Sequence, residues 1–126
     1  MKIHLASRFE DRFRMREVRS ELMSIGHVVT SQWLEHGMEV TSLDPLKDLH
    51  EEASKDLRNV NEANIFVLFN DHKGGKGRWV ELGFALALNK HIIVIGPKNC
   101  VFLHLGIVLN FDSWGEAFIY IRDALD

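Results

Sequence analysis

The chain has 126 residues, 46% of them hydrophobic and 26% charged, with a formal charge of −3. That is enough apolar material for the core of one domain spanning residues 1–126, and too little positive charge for the basic face that nucleic-acid partners meet. A single cysteine, Cys100, excludes an intramolecular disulfide and paired-cysteine metal sites, and the seven histidines show no HxxxH pair. Charges begin at Lys2 and no apolar run approaches membrane-spanning length, so the expectation is a reduced, cytoplasmic protein with no membrane partner.

In chain order, KIHLA (2–6) reads as a short strand, and Phe9 to Ile25 as a charged amphipathic helix stopped by Gly26. HVVTSQW (27–33) reads as a second strand, followed by an irregular loop from Leu34 to Leu43. Asp44-Pro45 has the form of an N-cap and first helical residue, opening a helix to about Asn61. NIFVLF (64–69) and HIIVIG (91–96) are continuous apolar runs, as in strands covered on both faces. Between them lie the glycine-rich loop from Asn70 to Gly77 and an apolar helix containing Glu81. A loop from Pro97 to Leu105, a last strand GIVLNF (106–111) and a helix from Ser113 to Leu125 complete the order, with Ser113 as its N-cap. Alternation of this kind predicts an α/β, flavodoxin/Rossmann-like three-layer sandwich, a five-stranded parallel sheet of order 2-1-3-4-5.

Such sheets bind ligands beyond the carboxyl ends of their strands. Glu81 belongs to that edge, and it is the one ionisable group between Arg78 and Lys90. It has two readings: an acid in the first helical turn that complements the helix dipole, or a carboxylate buried at a cleft for its chemistry. The glycine loop has two as well. Gly74, Gly75 and Gly77, with Lys73, Lys76 and Arg78, either cradle a phosphate or form a turn with solvated lysines. Neither GxxxxGK[ST] nor GxGxxG is present.

Across nearly its whole length the sequence resembles the nucleoside 2-deoxyribosyltransferase family, including its deoxynucleoside 5′-monophosphate N-glycosidase relatives. The resemblance rests on KIHLASRFEDR, GHVVTSQWL, SKDLRNVNEANIFVLF, GRWVELGFALALNKHIIVIG and NCVFLHLGIVLNFDSWGEA, with E-L-G-x-A-x-A-x-x-K as its most specific core. It implies that Glu81 is a nucleophile attacking the anomeric carbon of a 2-deoxyribonucleoside or its 5′-monophosphate, and that Asp56 moves a proton or orients substrate. It also implies that Ser7, Arg8 and Phe9 hold base and sugar, and that the protein is a homodimer or larger homo-oligomer. Departure of a protonated base requires no metal or organic cofactor.

Two positions depart from the family pattern. The first loop has no tyrosine, and Gly75 stands where free-nucleoside transferases carry an aspartate six residues before the glutamate. With Lys76, Gly77 and Arg78 beside it, this leans toward a nucleoside monophosphate substrate and hydrolysis. A free-nucleoside transferase and a nucleotide-binding module without turnover are the alternatives. Trp33, Trp79 and Trp114 read as packing residues, and a nucleophilic role for Cys100 is disfavoured because Lys98 is its nearest cation in sequence.

Overall fold

The computed structural model describes residues 1–35 and 45–125. Asp44, expected to cap the second long helix, and His36 lie outside the described residues. Five strands form one parallel sheet: β1 (Lys2–Ala6), β2 (Val28–Val29), β3 (Ile65–Phe69), β4 (His91–Ile95) and β5 (Val108–Phe111). Their order is β2-β1-β3-β4-β5, as the alternation predicts. The helices are α1 (Arg12–Ser24), α2 (Pro45–Glu62), α3 (Lys76–Ala87) and α4 (Trp114–Ala124). Among the described residues no helix is long and apolar enough to cross a membrane.

Strand alternation divides the core in two. Ile3 and Leu5 of β1, with Ile65, Val67 and Phe69 of β3, pack under Met15, Val18 and Leu22 of α1 and Ala117 and Ile121 of α4. Ala6, Phe66, Leu68, Ile92 and Val94 face the other way, against Val60 of α2 and Leu82 and Ala85 of α3. His4 shares this second face, because it alternates with Ile3 and Leu5.

Several elements differ from expectation. The second strand is two residues long rather than seven, because α2 draws the chain off the sheet: Gln32 N–H donates to Asn59 Oδ1 and Thr30 Oγ1 to Asn59 O. A 3-10 turn (Gln32–Glu35) follows. Residues Phe9–Asp11 form a 3-10 turn ahead of α1, and Val101–His104 another inside the loop after β4. Ser113 caps α4 as expected, accepting from Glu116 N–H at 3.3 Å.

Candidate active site

Beyond the carboxyl ends of β1 and β3 lies a cavity of about 500 Å³. Its walls come from the loop after β1 (Ser7, Arg8, Phe9, Glu10), from Trp33, from Asp56 of α2, and from the start of α3 with Glu81. Segments far apart in sequence thus converge where the strand order reverses, the usual place for a ligand in an open α/β sheet.

α3 begins at Lys76, so Glu81 lies in its second turn and no acid occupies the first. The dipole and capping-box readings of Glu81 therefore fail: a carboxylate one turn further in receives little from the helix end. Its side chain is 12% exposed, and Oε1 is 2.7 Å from Nε2 of His4. That imidazole is wholly buried, stacked on Phe66 at 5.7 Å between centroids, with Nδ1 3.1 Å from Ser31 Oγ. The Glu81 carboxyl group is thereby held on one oxygen by a buried partner and lines the cavity.

Asp56 lines the same cavity half-buried, and its Oδ1 is buried with no hydrogen-bond partner. Burial, the nearby Glu81 carboxylate and then Glu52 raise its pKa from 3.8 to about 7. A carboxyl group that keeps its proton near neutrality thus stands beside Glu81, the arrangement proton transfer to a leaving group needs.

The glycine loop is built around Arg78. This side chain is buried, donating from Nη1 to Phe69 O and from Nη2 to Asp71 Oδ1, Lys73 O and Gly74 O. The guanidinium expected to meet a phosphate is instead used to fold the loop, although its Nε is buried without a partner and the residue lines the cavity. Lys76 is exposed and does not line the cavity. Gly74, Gly75 and Gly77 do line it, and no side chain caps the first turn of α3, so the orphan N–H groups of that turn are left for another acceptor.

Asp71 also holds Arg8, whose Nε lies 3.1 Å from Asp71 Oδ2, while Glu10 and Asp11 approach at 3.8 and 3.6 Å. Burial pushes the Asp71 carboxyl up, but its bonds to Arg78 and the Lys73 N–H and the charge of Arg8 outweigh this and hold it below the usual range. Arg8 and Asp71 are both partly exposed, so the pair orients more than it stabilises.

Phe9 reaches the cavity with the Arg12 guanidinium over its ring at 4.4 Å and Trp33 tilted against it at 6.3 Å. Ser7 donates to Arg8 O. Sequence reasoning missed His4, Trp33 and Asp71. A polar residue facing inward in a doubly covered strand was the available signal for His4. Trp33 looked like packing, and its Nε1–H does bond Leu5 O at 2.9 Å while the ring lines the cleft. Among the described residues no cluster of histidine, cysteine or carboxylate side chains has the geometry to hold a metal.

No family model and no curated protein matches the chain. Solved structures do. One is a 2-deoxyribosyltransferase from Bacillus psychrosaccharolyticus, with a TM-score of 0.76 and 24% identity over 95% of this chain and 92% of that one. Another is the CMP N-glycosidase BcmB of Clostridium botulinum, with a TM-score of 0.65 and 17% identity over 96% of this chain and 98% of that one. The chain has the fold of these two enzymes. The likeness extends to the three-layer architecture and the five parallel strands in the order described above.

Proposed function

We propose that the protein cleaves the N-glycosidic bond of a 2′-deoxynucleoside 5′-monophosphate through a glycosyl ester on Glu81. The observation that carries this reading is the meeting of Glu81 and Asp56 on one cavity, with the Asp56 proton retained to about pH 7. The Glu81 carboxylate bonds to C1′ as the C1′–N bond breaks. The electron pair of that bond leaves with the base, which takes the Asp56 proton. Water then attacks C1′, returning a proton to Asp56 and freeing the Glu81 carboxylate. A second base in place of water gives base exchange instead. Two carboxyl groups in nucleophile and acid roles are the means by which retaining glycosidases divide one hard step into two.

The chemistry of the two structural neighbours, a deoxyribosyltransferase and a CMP N-glycosidase, agrees with this reading. A 5′-phosphate would lie at the uncapped first turn of α3, on the N–H groups around Gly75 and Gly77, with Arg8 the cation that lines the cavity besides Arg78. Phe9 and Trp33 supply the aromatic surface for the base. Assembly with a second copy belongs to the same reading: Val80 of α3, Leu88 just past its end, and Val101 and Phe102 in the loop after β4 are exposed apolar groups, and sedimentation as a monomer at micromolar concentration would remove it.

The test is direct. Purified protein incubated with each deoxynucleoside monophosphate should release free base, read by chromatography. Tight binding with no base released would leave a nucleotide-binding module.

A further inference from the structure

We propose that His4 presents the nucleophile: an imidazole protonated on Nε2, set in that tautomer by Ser31, holds Oε1 of Glu81 so that Oε2 forms the bond to the anomeric carbon. The inference rests on the role proposed for Glu81.

The protons in this closed space can be assigned one by one. Leu5 N–H donates to Ser31 Oγ at 2.7 Å, which occupies one acceptor position of that hydroxyl. The single hydroxyl proton has two acceptors within reach, Nδ1 of His4 at 3.1 Å and Leu5 O at 3.3 Å. When it points to Nδ1, that nitrogen is an acceptor and the ring proton resides on Nε2, 2.7 Å from Glu81 Oε1. The opposite neutral tautomer would press the Nε2 lone pair against a carboxylate. It is therefore excluded whenever Glu81 is ionised.

The imidazolium fits the same pocket. Its Nδ1–H donates to Ser31 Oγ, and the hydroxyl proton turns to Leu5 O. In both charge states every polar atom keeps a partner, and in both Nε2–H remains on Oε1. The ionisable groups that face the ring are Glu81 from α3 and, beyond it on the cavity wall, Asp56 from α2. No reorganisation is then needed as Glu81 changes from carboxylate to ester. Oε2 gains the bond to C1′ and Oε1 becomes the ester carbonyl, still accepting from Nε2. When the ester breaks, the electron pair of the Oε2–C1′ bond returns to the carboxylate, and the same N–H stabilises it as it leaves. His4 is a positioning residue: it touches Glu81 and not the substrate.

Nitrogen-15 NMR of the unmodified protein, with the His4 ring assigned by its loss in His4→Gln, should show a ring protonated on Nε2. Ser31→Ala should weaken that tautomer preference and lower kcat. His4→Phe, which keeps the stack on Phe66 and removes the donor, should lower kcat by about 10- to 100-fold, the range for a hydrogen bond to a charged group, with little change in KM. His4→Gln places an amide N–H near the position of Nε2 and should restore most of the loss. A neutral ring protonated on Nδ1 would overturn the proposal even if His4→Phe failed to fold. So would wild-type kcat in His4→Phe alongside an inactive Glu81→Gln. Turnover retained by Glu81→Gln would instead overturn the nucleophile assignment on which the inference stands.

Discussion

A Cβ added to Gly75 would lie 2.9 Å from Cγ of Arg8. The two residues come from loops after neighbouring strands and both line the cavity. Gly75 also has φ +114°, a conformation other residues rarely adopt, so both space and backbone demand glycine. The position at which the resembled transferases carry an aspartate is thus closed to one here by Arg8. Gly75→Asp should destabilise the fold by about 1–3 kcal/mol and weaken substrate binding rather than convert the enzyme to a free-nucleoside transferase. Combining it with Arg8→Ala should recover the steric part and leave the backbone part, which a double-mutant cycle by chemical denaturation would separate.

Glu81→Gln should abolish base release. The amide cannot form the glycosyl ester, yet it has the same shape and can still accept from His4 through its oxygen. The thermal midpoint should stay close to that of the unmodified protein. Measurable steady-state turnover at the unmodified rate would return Glu81 to an orienting role.

Asp56 sets the pH dependence. In the proposed mechanism its acid form is the active one, so base release should fall as pH rises through about 7. The sign for stability follows from the same shift. The folded state holds the Asp56 proton to about pH 7, whereas the unfolded chain releases it near 3.8, so the fold loses stability as pH rises between those values. Asp56→Asn removes that loss. It should raise the thermal midpoint more at pH 8 than at pH 4, while eliminating the acid and with it most of the activity.

The phosphate prediction follows the backbone rather than the cations. A deoxynucleoside monophosphate should exceed its nucleoside in kcat/KM by about tenfold or more, the worth of one charge-assisted contact. Lys76→Ala should leave that ratio almost unchanged, because Lys76 stands outside the cavity. Arg8→Ala should reduce it. Arg78→Ala strips partners from Phe69 O, Lys73 O, Gly74 O and the partly exposed Asp71, and should cost about 1–3 kcal/mol of stability, the range for leaving buried hydrogen-bonding groups unpaired. Equal kcat/KM for nucleoside and monophosphate in the unmodified protein would favour the free-nucleoside transferase.

The sheet was readable because β3 and β4 are continuous apolar runs, which only a doubly covered parallel sheet requires. The place of Glu81 was readable for a related reason: it is a lone acid among apolar helix residues after β3, and it lines the cavity. The early end of β2 was hidden, since it depends on Asn59, which approaches from α2 some thirty residues later. The inward turn of Arg78 was hidden too, because the carbonyls that hold it converge only once the loop has closed. His4 lay in a five-residue strand where one polar letter among apolar ones resembles an ordinary interruption. Its meaning depends on α3 lying over that face of the sheet.

The sheet also separates two kinds of mutational risk. Glu81, Asp56 and His4 belong to the layer of α2 and α3, whereas α1 and α4 rest on a core cluster that shares no residue with it. Substitutions under α4, such as Ile121→Val, act through side chains that never touch the site, so their costs should add to those of site variants rather than multiply them. Changes at Leu82 or Phe66 shift the helix and the ring that hold Glu81 and His4, and should spoil rate and stability together. An engineer seeking tolerance to heat would therefore work under α4 and away from Trp33, which packs on the same cluster and also lines the cavity.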